Sequence, residues 1–324
     1  MNDETPTPVW LLTGFLGSGK TTVLAALLKH ADLTDTAVIV NEFGEVGLDH
    51  HLVARGEEDN IVLLESGCLC CAVGDSLGET LTDLFYKRAR GEIPAFSRVV
   101  IETTGMADPG PILRTFMADR VMLRRFALSG VICTFDALLG ADVARRHQEA
   151  RRQAAMADRV VITKADMASE ADLASASQAV RALNPGAAIL VSAHGAVDPA
   201  ALLAPTDARA APEEAADGHH HHHHDGSIET VFAPFPDALS WSDYAALVEH
   251  LRAYYGVGLL RAKGLLRIEG EDEPCVVQGV QHVFAPPAPL PRPIDNARTG
   301  LVLIGEGLER EAVLADLAAY GAAV

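Results

Sequence analysis

The sequence predicts an α/β fold, with a mostly parallel, doubly wound sheet in a larger first domain and a smaller α+β domain after it. Three observations predict it. Short runs rich in Val and Ile alternate with amphipathic stretches from Val9 to Ser192, and a glycine-rich loop joins the first run to the first amphipathic stretch. An Ala-, Pro- and charge-rich segment then separates this region from one with different spacing.

The apolar runs are VWLLTG, AVIVNEFG, NIVLLESG, RVVIETTG, GVICTFDA, RVVITKAD and AAILVSAHG. They are near-continuous rather than alternating, as expected of strands buried on both faces of a parallel sheet. Between them lie the helical stretches TTVLAALLKH, LGETLTDLFYKRAR, VARRHQEARRQAAMA and ADLASASQAVRAL. Strand and helix in alternation imply βαβ units. Residues 205–227 lack apolar periodicity and read as a flexible, His-rich linker between a domain at 1–204 and another at 228–324. In the second domain SIETVFAPF reads as a strand and WSDYAALVEHLRAYYG as a helix. LLRAKGLLRIEG, PCVVQGVQHVFA and GLVLIGEGL read as three further strands, with EREAVLADLAAY as a closing helix.

The 324-residue length favours two domains, and 49% hydrophobic with 22% charged residues suits a globular protein with a buried core. No apolar run is long enough for a membrane span, and the acidic start MNDETPTPVW lacks the pattern of a secretory signal, so a cytoplasmic location is expected. A formal net charge of −18 repels phosphate backbones and argues against general nucleic-acid binding. Five cysteines are too few for a disulfide scaffold, and the clustering of Cys68, Cys70 and Cys71 points to metal or redox chemistry in a reducing compartment.

Gly14-Phe15-Leu16-Gly17-Ser18-Gly19-Lys20-Thr21 matches G-x-x-x-x-G-K-[ST], follows a strand and opens a helix. Gly14, Gly17 and Gly19 let backbone N–H groups, that of Ser18 among them, converge on phosphate oxygens, and the following helix adds its N-terminal dipole. Lys20 is expected to bridge the β- and γ-phosphates and Thr21 to coordinate Mg²⁺, with Thr22 completing the loop contacts. The first domain is therefore expected to be a P-loop NTPase domain. Glu102 ends the strand of Ile101-Glu102-Thr103-Thr104-Gly105, where a carboxylate can hold the Mg²⁺ shell. In Thr163-Lys164-Ala165-Asp166 the carboxylate can accept two hydrogen bonds from a guanine edge while the Lys164 stem covers the ring. Adenine cannot supply that donor pair, so Asp166 would select GTP, with Ser192-Ala193 as a further base-side loop.

Three cysteines within Cys68-Leu69-Cys70-Cys71, beside a nucleotide loop, point to metal ligation. An extended segment would bring Cys68 and Cys70 to one side, whereas a turn would bring Cys70 and Cys71 together. Thiolates favour Zn²⁺ or Cu(I), and tetrahedral Zn²⁺ wants a fourth ligand. Upstream, the acidic loop from Asn41 to Asp49 is a candidate switch, in which Asp49 would contact Mg²⁺ or its water and Glu42 would join the cysteines. His219, His220, His221, His222, His223 and His224 form an internal run with acidic flanks, read as a metal-gathering linker that supplies accessory ligands. His30, His147, His194, His250 and His282 are assigned no role.

The motifs GFLGSGKTT, VNEFGEVGLD, ESGCLCC, IETTGMADPGPI and TKAD, with LLRAKG, VQGVQHVF and LVLIGEGLERE in the second domain, resemble the CobW-like GTPases, and their YjiA-like branch in particular. The resemblance implies slow GTP hydrolysis coupled to binding a transition metal, most often Zn²⁺ and otherwise Co²⁺ or Ni²⁺, and inserting it into a client protein. By position it gives Lys20 and Thr21 the phosphate and Mg²⁺ roles, Asp166 guanine selection, and Cys68, Cys70 and Cys71 with Glu42 the metal role. Two positions depart from the pattern. Thr163 stands where many GTPases have Asn, and Val40 stands where close relatives can carry an acidic residue. The expected partners are a client metalloprotein and a nucleotide- or metal-dependent second copy of the chain. A metal sensor or store in which hydrolysis is incidental is the alternative, and no phosphoryl-acceptor motif supports a small-molecule kinase.

Overall fold

The computed structural model describes residues 6–40, 62–65, 75–204, 228–290 and 298–323. Glu42, Asp49, Cys68, Cys70, Cys71 and the histidine run 219–224 lie outside the described residues. The chain divides into two compact units, each described by itself. No helix among the described residues is long and apolar enough to cross a membrane.

The first unit is built on seven strands: β1 (Thr7–Gly14), β2 (Thr36–Val40), β3 (Val62–Glu65), β4 (Arg98–Glu102), β5 (Phe126–Asp136), β6 (Arg159–Thr163) and β7 (Ala188–Val191). Each corresponds to one of the apolar runs read from the sequence. Their order across the sheet is β3-β2-β4-β1-β5-β6-β7, and every pairing is parallel. β2 and β6 are buried at every position, whereas β7 at the sheet edge is only partly covered. This contrast is why most of the runs carry apolar residues without alternation.

Chain order reverses direction around β1, which lies between β4 and β5. A crevice at the carboxyl ends of the strands opens at such a switch point. The register brings the ends into line: Leu12 on β1 lies beside Glu102 on β4, Gly14 beside Thr134 on β5, and Asp136 on β5 beside Thr163 on β6. The first helix, α1 (Lys20–Leu27), leaves directly from this line and buries Val23, Leu24 and Leu27 against the sheet core formed by Trp10, Leu12, Val38 and Val161.

The stretch read as one helix through His147 is two, Gly140–Arg146 and Gln148–Met156, broken at His147, whose backbone is extended (φ −123, ψ 120). Two helices not foreseen, Gly110–Ala118 and Arg120–Arg125, follow β4. The second unit is an antiparallel sheet of β8 (Ile228–Pro234), β9 (Leu259–Leu266), β10 (Cys275–Val280), β11 (Val283–Phe284), β12 (Ala288–Pro289) and β13 (Gly300–Glu306). The run PCVVQGVQHVFA is split into β10 and β11 by a turn at Gln281 (φ 53). Helices Trp241–His250 and Arg310–Ala318 bury Leu247, Val313 and Leu317 in a core with Phe235, Leu259 and Leu303.

Candidate functional site

The loop from Gly14 to Gly19 holds the left-handed backbone that its glycines permit: φ is 139 at Gly14, 73 at Gly17 and 92 at Gly19. A Cβ on Gly14 would lie 2.6 Å from the Thr134 carbonyl oxygen, so the loop can lie against β5 only with glycine there. Gly19 caps α1 without a side-chain hydrogen bond, and no acidic residue occupies the first turn. The N-terminal N–H groups and the positive end of the helix dipole are therefore left for an anion.

Side chains lock this loop to its neighbours. Ser18 Oγ donates to Phe15 O at 2.6 Å and lies 2.7 Å from Thr134 Oγ1. Thr163 Oγ1 donates to Ser18 O at 2.7 Å and is 3.3 Å from Phe135 O. Thr163, the departure from the Asn of many GTPases, is thus a tie between β6 and the phosphate loop. Lys20 is buried, and its Nζ donates to Gly14 O at 2.8 Å and to Phe15 O at 3.2 Å. The ammonium is held inside the ring of the loop, where the charge can meet a phosphate at little reorganisation cost.

Thr21 Oγ1 donates to Glu102 Oε1 at 3.0 Å. A hydroxyl from α1 and a carboxylate from the end of β4 form a hard oxygen pair beside the phosphate loop, the donor chemistry that Mg²⁺ prefers. Beyond Glu102 the chain crosses the loop closely. A Cβ on Gly105 would lie 2.8 Å from Leu16 N and 2.9 Å from Leu16 Cα, both backbone atoms. Gly105→Ala is expected to force these segments apart, costing about 1–3 kcal/mol of stability together with most of the hydrolysis. A melting temperature and turnover equal to those of the parent protein would show that the close approach is dispensable.

On the base side, Lys164 adopts a left-handed backbone (φ 59), and its Nζ meets Asp136 Oδ2 at 2.5 Å. Asp136 is itself fixed by the N–H groups of Leu138 and Leu139, which donate to its Oδ1 at 2.8 and 3.1 Å. Asp166 Oδ1 accepts the backbone N–H of His194 at 2.9 Å, and its Oδ2 lies 3.3 Å from His194 Nδ1. That backbone N–H is the main reason the Asp166 carboxyl is held below the usual carboxylate range. Ser192 takes part through its main chain: its N–H donates to Ile162 O at 2.8 Å, and its carbonyl accepts from Ala165 N at 3.1 Å. Thr22 lies against the same loop, since a Cβ on Gly195 would be 2.6 Å from Thr22 O.

The structure thus brings Gly14, Gly17, Ser18, Gly19, Lys20, Thr21 and Glu102 together at one crevice. It sets Lys164, Asp166 and Ser192 at the adjoining strand ends. Asp136, His194 and Gln153 belong to the same neighbourhood and were not singled out from sequence. For Asp136 the available signal was its place at the end of an apolar run; for His194 it was its place directly after Ser192-Ala193. The two cysteines among the described residues, Cys133 and Cys275, are buried. Burial pushes the Cys133 thiol up to about 12, although the Lys20 charge opposes the shift, so this thiol is neutral. Among the described residues no group of three or more His, Cys, Asp or Glu side chains is arranged to hold a metal.

The fold and the site have counterparts among known proteins. Residues 8–191 match the family model of the CobW/HypB/UreG nucleotide-binding domain, and residues 228–320 match that of the cobalamin synthesis protein cobW C-terminal domain. The zinc chaperone YjiA of Escherichia coli is 34% identical over 317 residues, covering 97% of this chain and 98% of that one. The zinc-regulated GTPase metalloprotein activator 1 of Schizosaccharomyces pombe is 33% identical over 199 residues, covering 60% of this chain and 47% of that one. The crystal structure of Zn(II)-bound YjiA GTPase from E. coli matches with a TM-score of 0.70 at 31% identity, covering 98% of this chain and 99% of that one. With its phosphate loop and both domain models matched in order along one chain, this protein belongs to the CobW/HypB/UreG family of P-loop nucleotide-binding proteins.

Proposed function

We propose that this chain is a GTP-hydrolysing metallochaperone that binds a transition metal, zinc foremost, through Cys68, Cys70 and Cys71 and delivers it to a client metalloprotein. The observation that carries the hydrolase half is the assembly at the ends of β1 and β4. There the loop carbonyls hold Lys20, and Thr21 is hydrogen-bonded to Glu102. Thr21 and Glu102 would hold Mg²⁺, which when bound neutralises charge on the β- and γ-phosphates. Lys20 and the N–H groups at the start of α1 orient the same phosphates, and Asp166 reads the guanine edge. The metal half is supported by the Cys-x-Cys-Cys sequence and by the names of the similar chains, zinc chaperone and zinc-regulated GTPase metalloprotein activator. Glu42 is proposed as a further metal ligand and Asp49 as a contact of the Mg²⁺ shell. Nucleotide state would reach the cysteines through the switch from Asn41 to Asp49 and through β3, which ends three residues before Cys68.

Linkage makes this reading measurable, because nucleotide must alter zinc affinity by the factor by which zinc alters nucleotide affinity. Zinc affinity is measured by competition with a chromogenic chelator in the apo, GDP–Mg and GTP-analogue–Mg forms, with His219–His224 deleted so that they do not mask the cysteines. A difference of about tenfold or more, roughly 1.4 kcal/mol, is expected between nucleotide states. Identical affinities in all forms would leave a GTPase and a metal binder on one chain without delivery. Replacing Cys70 and Cys71 with Ser is expected to weaken zinc binding by roughly 10²-fold or more, since losing a group that only hydrogen-bonds a metal ligand already costs about 10- to 100-fold. Unchanged affinity would remove the cysteines from the metal site.

The histidine run favours a second reading, metal storage or sensing, because consecutive imidazoles gather metal without fixed geometry. Loading of a client apoprotein separates the two: delivery requires GTP, storage does not.

A further inference from the structure

The helix Gln148–Met156 touches the nucleotide site just before its first turn and again in its interior, through side chains that are neither in the phosphate loop nor in the Mg²⁺ pair. Just before it, the His147 ring stacks on Phe15 of the phosphate loop, with centroids 4.6 Å apart. In its interior, Gln153 is fully buried, and its Nε2 donates to Gly105 O at 3.1 Å and to Ala107 O at 2.9 Å. Next to it, Arg152 pairs with Asp108 at 3.1 Å, and Asp108 accepts the backbone N–H of Gly110 at 2.8 Å. The segment so held, Gly105 to Asp108, follows directly on Glu102, the partner of Thr21, and begins at the contact of Gly105 with the Leu16 backbone.

Two further features make Gln153 stand out. Among the described residues its Oε1 is buried without a hydrogen-bond partner, a condition met by few side chains of a native fold. Gln153 also lines a cavity of about 140 Å³ between the phosphate loop and this helix, bounded by Phe15, Leu16, Val143 and Ala150. The Gln153 amide therefore ties this helix to the segment after Glu102, and the Phe15–His147 stack just before the helix ties it to the phosphate loop, with the cavity between them.

We infer that Gln153 is a positioning residue for GTP hydrolysis. Its amide holds the carbonyls of Gly105 and Ala107, and so holds Gly105 against the Leu16 backbone of the phosphate loop. With the β- and γ-phosphates held by Lys20 and the start of α1, as the GTPase reading has it, this turn would face the γ-phosphate, and a diphosphate would not depend on it. Gln153 therefore acts on the triphosphate state and leaves the diphosphate state alone. The inference rests on the GTPase reading, which turnover by the unaltered protein checks independently.

Gln153→Met keeps the length of the side chain and removes both donors. The expected result is a fall in kcat of about 10-fold to 100-fold, the effect of a small misplacement at a reacting centre. The ratio of GTP-analogue to GDP affinity falls with it, while GDP affinity stays within about twofold. An unchanged kcat, or an equal loss of GDP and GTP-analogue affinity, would overturn the assignment, the second because it marks a structural defect. Amide exchange in the unaltered protein decides the matter without a variant. On replacing GDP with the GTP analogue, residues 105–108 and 148–156 are expected to gain protection together. Protection confined to one of the two segments would overturn it equally.

Discussion

Replacing Lys20 with alanine is expected to lower GTP turnover by roughly 10³-fold, the scale on which a preorganised charge at a transition state acts. The ammonium is buried and already committed to the site, donating to Gly14 O and Phe15 O across the loop. A phosphate entering the loop meets a cation that needs no rotamer search, and an alanine removes it without disturbing the N-terminal N–H groups of α1. The fold is expected to survive, because Val23, Leu24 and Leu27 carry the packing of α1 and the loop keeps its ties through Ser18, Thr134 and Thr163. Single-turnover hydrolysis, a thermal melt and zinc affinity of the apo protein together test this. Retained turnover would move the phosphate site away from Gly14–Thr21. A parallel loss of zinc affinity would mean that the substitution had disrupted the fold.

The strands were the most legible part of this chain, for a physical reason. A strand covered on both faces needs apolar side chains at every position, and β2 and β6 show that as uninterrupted runs. Helix boundaries were less legible because tertiary contacts overrode local pattern. Nothing in VARRHQEARRQAAMA marks a break at His147; the break accompanies the stacking of that ring on Phe15, far away in sequence. The helix Gly110–Ala118, not foreseen from the sequence, opens at Pro109-Gly110-Pro111, since proline within the first turn costs no hydrogen bond.

The site divides in the same way. The phosphate loop and Glu102 were legible because their chemistry depends on residue type at fixed spacing and on a strand end. Gln153 was not, because an amide in a polar stretch gains its meaning only from the Gly105 and Ala107 carbonyls that the fold brings to it. Thr163 was legible as a departure but not as a compensation. Only the structure shows its hydroxyl reaching Ser18 O.

Asp166→Asn is expected to invert base preference. The carboxylate is proposed to accept two N–H groups from the guanine edge, and asparagine offers one acceptor and one donor, so a guanine donor would face an amide donor. Hydrogen bonds to a charged acceptor contribute about 1.5–3 kcal/mol each, so loss of one and repulsion at the other weaken GTP binding by roughly 10²-fold or more. Xanthine carries an acceptor where guanine carries its exocyclic amine, so the same variant gains affinity for XTP. The carboxylate is set for this task before any base arrives. The His194 N–H holds Oδ1 at 2.9 Å, and the left-handed backbone of His194 (φ 52) aims that N–H at it. Competition of GDP and XDP against a fluorescent nucleotide reads the ratio directly. A ratio that does not move would remove Asp166 from base reading and leave its contacts with His194 as a loop clasp alone. A ratio that inverts would place guanine between the Lys164 stem and the Ser192–His194 loop, and would show that the base is chosen without the Asn that Thr163 replaces.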